Sequence, residues 1–327
     1  MLLEDPVLAE AVEIGDLDNL VRLADGIAGA REWDRLLNLR DRCTLAVERG
    51  KQLWGVAHYC NFRLALEAPA DIAGSIVTQP RGHMLPGPLT EVVASRLTWE
   101  ELAPHLADTP ERSVVAQERV LRGEDLSAAY IDTEILGLPL SLGAWEGRTP
   151  LASYKPSGGT FDPPDLPPMK AVPTGDHKPL IDEEASIALA DLGQEWLERS
   201  NGRVEVVCVE GSALDAIATL GAPSVRIAEV TLPVAMEWMM WLAASGGAHG
   251  VRAGGATGRS KAWWALAQIA AAGNDWPIAS NDLFESAEGL KWFLWSDLND
   301  DIGWSCRLAV EDPIDGLAWV LSALDAV

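Results

Sequence analysis

Tyrosine, phenylalanine and basic side chains are all scarce in this chain of 327 residues, which has 3 Tyr and 4 Phe against 14 Trp. Its 25 Lys and Arg face 49 Asp and Glu, a formal charge of −24. Non-specific binding to nucleic acid or to an anionic membrane needs a positive surface, so both are excluded as expectations. Cysteine is sparse: Cys43, Cys60, Cys208 and Cys306 are scattered and none forms a C-x-x-C pair. They read as reduced, buried thiols rather than a disulfide framework. The five histidines, His58, His83, His105, His177 and His249, are isolated and no H-E-x-x-H occurs, so no metal is expected. Asp297, Asn299 and Asp301 imitate the start of a calcium loop, but Ile302 stands where glycine is needed and Leu308 where glutamate is needed. No uncharged apolar run reaches the roughly 18 residues of a membrane span. Glu4, Asp5 and Pro6 interrupt the start of the chain, which is unlike a leader peptide. A cytoplasmic protein that meets no membrane is expected.

What is present is the composition of a folded globular protein, 48% hydrophobic and 23% charged, with length for two domains. Residues 1–135 read as helical. Leu17, Leu20, Leu23, Ala24 and Ile27 recur at helical spacing, with Asp16 placed to cap and Gly29 to end that helix. Thr98 and Glu101 have the spacing of a capping box, and Pro110 suits the first turn of a helix over 109–122. The succession of short helices resembles an irregular helical repeat, although no fixed period is found.

Residues 136–182 hold nine of the 20 prolines, so an irregular Pro/Gly-rich connection is expected there, either a binding loop or a linker over the surface. Residues 183–327 read as an α+β domain with a mixed or antiparallel sheet: a helix over 182–200, strands over 203–209 and 225–230, and helices over 212–220, 233–244 and 260–272. A hairpin is expected from 290–296 and 303–310, and a closing amphipathic helix over 313–324. The fold class expected for the whole chain is therefore α+β, an all-helical N-terminal domain followed by an α+β C-terminal domain. Nine of the 14 tryptophans lie between Trp238 and Trp319, which suits either a Trp-rich core or the wall of a cleft.

The most distinctive segment is 245–261, SGGAHGVRAGGATGRSK, rich in glycine and free of acid. Backbone N–H groups of Gly246, Gly247, Gly250, Gly254, Gly255 and Gly258, together with Arg252, Arg259, Ser260 and Lys261, form a candidate anion site if a helix begins at Ser260. The competing reading is a crossover whose arginines pair with the chain's own carboxylates. The P-loop pattern fails, because position 253 is Ala and Arg259 replaces its lysine. His249 is the candidate catalytic acid or base. A second basic stretch runs from Arg35 to Arg63, where Arg35, Arg40, Arg42, Arg49, Lys51 and Arg63 outnumber Asp41 and Glu48. It suits an acidic partner or an acidic surface of the same chain.

The stretches WDRLLNLRDRCTLAVERGKQLW, RLALEAP, SGGAHGVRAGGATGR and GWSCRLAVEDPIDGLAW resemble segments of a family of hypothetical proteins from high-GC actinobacteria. The resemblance implies a soluble bacterial protein and no activity or site residues. The expected function is that of a binding or adaptor protein without catalysis, engaging a protein partner and an anionic small molecule at 245–261. The alternative is an enzyme acting on a phosphorylated or carboxylated small molecule through Arg252, Arg259 and His249. No cofactor is indicated.

Overall fold

A computed structural model describes residues 5–80, 82, 85–175, 179–180, 182–298 and 303–325. His83, His177 and the 299–302 part of the expected hairpin turn lie outside the described residues. The chain divides into two compact units, one of residues 1–122 with 153–160, the other of 123–152 with 161–327.

The first unit is built from α1 (Pro6–Ile14), α2 (Leu17–Gly29), α3 (Trp33–Glu48), α4 (Trp54–Glu67), α5 (Ala70–Ser75), α6 (Leu89–Ala94), α7 (Trp99–Leu102) and α8 (Pro110–Leu121), with a small hairpin of β1 (Ser153–Lys155) and β2 (Gly158–Thr160). Caps explain several starts. The side chains of Asp5 and Asp16 accept from the N–H groups of Leu8 and Asn19, and Thr98 with Glu101 forms the expected capping box. The apolar core is formed by Leu20, Leu36, Leu39, Phe62 and Leu64, with α4 buried on most of its surface. Helix lengths of 13, 16 and 14 residues in α2–α4 give way to 6, 6 and 4 in α5–α7, so these helices share no common repeat length. The hairpin is held to this unit by Tyr154, whose hydroxyl donates to Glu91 Oε2 at 2.6 Å.

The second unit begins at Gly123 and takes in Leu138 and Trp145, which pack into its core. Its elements are β3 (Lys170–Pro173), β4 (Pro179–Leu180), α9 (Glu183–Asp191), α10 (Gln194–Arg199), β5 (Gly202–Glu210), α11 (Ala213–Ala218), β6 (Ser224–Val230), α12 (Leu232–Ala244), α13 (Gly255–Ile269), α14 (Ser280–Ser286), β7 (Lys291–Asp297), β8 (Trp304–Asp312) and β9 (Leu317–Asp325). The seven strands form one antiparallel sheet in the order β3-β6-β7-β8-β9-β5-β4. The chain is an α+β protein. The Pro-rich connection supplies both edge strands, where proline's missing N–H is tolerated and discourages further pairing.

One sheet face carries Trp292, Leu294, Cys306, Leu308, Trp319 and Leu321 into a core shared with α9, α12 and α13. The other carries Trp295, Ala309 and Val320 against α11. The helix expected over 313–324 is instead a turn followed by β9. Asp312 Oδ1 accepts from the N–H groups of Ile314 and Asp315, and Gly316 turns at φ +68°. Residues 318–323 are buried on both faces between β8 and β5, so their near-continuous apolar run loses the alternation that marks a half-exposed strand. The helix expected over 182–200 breaks at Gly193 into α9 and α10.

Candidate functional site

Segment 245–261 does not form one loop. Helix α13 starts at Gly255, five residues before Ser260, with Gly254 as its cap at φ +100°. Gly258 therefore lies inside the helix, where a Cβ would come within 2.6 Å of the Met240 carbonyl and 2.8 Å of Ala244 Cβ. That glycine lets α13 approach α12. Gly246 is closed in by the backbone of Val251, and Gly247 turns at φ +71°.

The cations of the segment go to separate partners inside the second unit. Arg259 Nε and Nη2 each donate at 2.7 Å to Glu146, and its Nη1 and Nη2 reach the carbonyls of Pro139 and Ser141. Ser260 Oγ donates to the Leu136 carbonyl, and Lys261 Nζ reaches Asp191 Oδ1 at 3.1 Å. Arg252 is buried with its guanidinium carbon 3.4 Å from the Phe161 ring centroid, a cation–π contact. The segment does hold a carboxylate, that of Asp325, which accepts from the Ala248 N–H at 2.5 Å and from Ser200 Oγ at 2.7 Å. His249 uses its backbone N–H on Ser200 Oγ at 3.0 Å and is exposed. Arg259, Ser260 and Lys261 are thus directed to separate partners, and Arg252 to the Phe161 ring.

The basic stretch of the first unit is similarly engaged. Arg35 pairs with Asp5 and Glu32, Lys51 with Glu13, and the buried Arg63 with Asp25 and Glu67.

An open cleft lies elsewhere in the second unit, where segments 148–151 and 162–167 face the junction of β6 and α12. It encloses about 970 Å³. Its walls are apolar, with Pro150, Leu151, Pro163, Pro164, Leu166 and Val234. Its polar rim carries Asp162, Asp165, Glu229 and Glu237, against Arg148 as the single cation among the described residues. Local chemistry explains the shape. Thr231 stands at the N-cap position of α12 in extended conformation and Pro233 sits in its first turn, so β6 passes into the helix with little connection. Gly147, at φ +77°, lies against Pro233, where a Cβ would be 2.6 Å from the carbonyl oxygen. The next residue, Arg148, donates its N–H to Glu237 Oε1 at 2.7 Å. This fixes one wall on the helix. The paired prolines at 163–164 and 167–168 stiffen the opposite wall and withhold backbone donors. Among the described residues no group of three His, Cys, Asp or Glu side chains is placed to hold a metal ion.

This chain belongs to a family of unknown function, DUF6183. The family model matches residues 18–326, which takes in the first unit from residue 18 onward and the whole cleft in the second. No curated protein and no solved structure gives a significant match. Within this DUF6183 protein the thiols are poor nucleophile candidates, since all four are buried. Burial pushes Cys43 up to about 12, burial and then the Asp182 charge push Cys208 up to about 11, and burial raises Cys60 and Cys306 further. Sequence reasoning named no cleft residue as a site; D-P-P-D-L-P-P over 162–168 falls within the stretch read as a connection, either a binding loop or a linker.

Proposed function

We propose that this protein binds a protein partner, without catalysis of its own, by holding a basic extended segment of that partner in the cleft that segments 148–151 and 162–167 form with α12. The observation that carries the reading is the cleft's charge, four carboxylates and one guanidinium over a proline- and leucine-lined wall. An extended peptide lays its apolar side chains on such a wall and its Lys or Arg side chains on the rim, and charge complementarity sets specificity and association rate. The exposed Leu151 and Leu166 offer anchor positions for the partner. A protein of charge −24 is suited to a basic protein segment rather than to nucleic acid. Four free, buried cysteines are in keeping with a cytoplasmic setting.

The enzyme alternative has weaker support, because Arg259 already holds Glu146 and an anionic substrate would have to displace a buried carboxylate. The test is fluorescence anisotropy of the full-length protein with labelled peptides of scrambled Lys/Arg/Leu/Pro sequence, and with the same peptides carrying Glu for Lys and Arg. Saturable binding of the basic set, weakened by salt and lost in the Asp162→Asn/Asp165→Asn/Glu229→Gln variant, is the expected result. Equal binding by wild type and variant, or none at low ionic strength, would discard the reading.

A further inference from the structure

A second cavity has the opposite character, and it exists because the sheet parts. Strand β7 pairs with β8 only from Lys291↔Glu311 to Leu294↔Leu308. Yet β7 continues along β6 as far as Asp297, and β8 pairs with β9 from Trp304 onward. Beyond Leu294 and Leu308 the two central strands therefore separate. A cavity of about 420 Å³ opens at that point, within the size range of small-molecule sites.

Its lining confirms the split. Side chains alternate between faces along a strand, so Leu294 and Ser296 belong to one face, as does Arg226, which is in register with Ser296. Trp295, Ser305 and Arg307 belong to the other. All six line the same cavity. An unbroken sheet would keep the two sets apart.

Among the described residues that line this space, Arg226 and Arg307 are the charged ones. Asp297 lies beside it, accepting from Arg307 Nη2 at 2.6 Å through its side chain and from Arg226 Nε at 3.2 Å through its carbonyl. Trp238 of α12 and Trp295 also line the cavity, each 3% exposed. Neither indole N–H has a hydrogen-bond partner among the described residues. Indole N–H is a donor only, so a buried one is satisfied only by an acceptor. Ser296 spends its hydroxyl proton on the Met169 sulfur at 3.7 Å, a weak acceptor.

We propose that the parting of β7 and β8 is a binding site for a carboxylate with an apolar body. Its carboxylate oxygens take the indole N–H of Trp238 or Trp295 and lie in the field of Arg226 and Arg307. Its apolar body packs on Leu294, Met169 and the indole rings. The site is distinct from the acidic cleft, though Leu166 and Pro167 border both, and it stands whether or not that cleft binds a basic segment.

The experiment follows the indole Nε1–H resonances of the uniformly 15N-labelled full-length protein, with those of Trp238 and Trp295 assigned from Trp238→Phe and Trp295→Phe. The probes are octanoate and phenylacetate, their neutral amides, and a leucine-terminated peptide with a free or amidated C-terminus. The expected result is a saturable downfield shift of the Trp238 or Trp295 signal with the acids and not with the amides. Tighter binding of the free-ended peptide than of the small acids would identify the carboxylate as a chain terminus. The reverse order would identify a free metabolite. Ser296→Leu, which fills the cavity, abolishes the shift, and Arg307→Lys, which keeps the charge but loses the guanidinium fork, lowers affinity about tenfold. Wild-type far-UV circular dichroism of both variants shows that they fold. No shift with acids or peptides, or equal shifts with acids and amides, overturns the proposal.

Discussion

Arg259 and Glu146 stand 113 residues apart in sequence and meet in a forked ion pair, with both guanidinium–carboxylate contacts at 2.7 Å and side-chain exposures of 0% and 1%. Glu146 also accepts from the Trp263 indole at 2.8 Å and from the Gly143 N–H at 2.7 Å. The carboxylate thus pins the 139–146 segment to α13. Removing one member leaves a buried charge without its counter-ion, so Glu146→Ala should cost about 3–5 kcal/mol. Arg259→Lys should also destabilise, because an ammonium cannot span both oxygens and the two carbonyls as the planar fork does. The double variant Glu146→Leu/Arg259→Met should recover part of the loss. Urea unfolding midpoints of the four proteins check this, and a double variant no better than Glu146→Ala would refute the pairing argument.

The same pair shows where the sequence was legible. Local signals placed the caps at Asp16 and Thr98, the helix over Pro110–Leu121 and the strands β5 and β6, because each depends on neighbours a few residues away. The chemistry of segment 245–261 was not local. Three basic residues in a glycine-rich stretch of an acidic protein suggest an anion from outside, but their partners, Glu146, Asp191 and the Phe161 ring, are distant in sequence. Spacing carries no information about such contacts. Strand β9 was misjudged for a related reason: a strand flanked on both sides and covered on both faces is apolar throughout, and periodicity cannot separate it from a buried helix. The acidic cleft depends on segments 148–151 and 162–167 folding onto α12, which proline content alone does not specify.

Asp182 has two duties. Its Oδ1 accepts from the Ala185 N–H at the start of α9, and its Oδ2 accepts from the Trp319 indole at 2.8 Å. Asp182→Ala removes an N-cap worth about 1 kcal/mol and leaves a buried indole donor unmade at about 1–3 kcal/mol, for a total near 2–4 kcal/mol. Asp182→Asn keeps the cap oxygen and should cost less. The expected signature is a lower urea midpoint at unchanged m-value, with the alanine variant the weaker of the two.

Two glycines inside helices should respond to alanine with opposite signs. At Gly258 the added methyl would strike the Met240 carbonyl and Ala244 Cβ, so α12 and α13 must move apart, at a cost of about 1–3 kcal/mol. At Gly26, exposed in α2, no atom lies within 4 Å of the added Cβ. There the gain in helix propensity should stabilise by about 0.5–1 kcal/mol. Thermal unfolding of the two variants gives the comparison, and destabilisation by Gly26→Ala would show that the helical unit is packed differently at α2.

The buried thiols set a stability limit on the alkaline side. A free thiol in the unfolded chain titrates near 9, whereas burial holds Cys43 up to about 12 and Cys208 up to about 11, with Cys60 and Cys306 raised as well. Between those values the folded protein keeps protons that the unfolded chain releases. Stability is therefore fully retained below about pH 9 and falls as pH rises, by up to about 1.4 kcal/mol per pH unit for each such thiol. Two measurements check it. Ellman's reagent should find essentially no reactive thiol in the native protein at pH 8 and all four in denaturant, because the thiolate is the nucleophile and none is formed or reachable in the fold. The urea midpoint should drop between about pH 8.5 and 10.5, and the drop should shrink in Cys43→Ala, whose unfolded state has one thiol proton fewer to lose. A midpoint insensitive to pH over that range would mean that the thiols titrate alike folded and unfolded, and hence that the cores around Cys43 and Cys306 admit water.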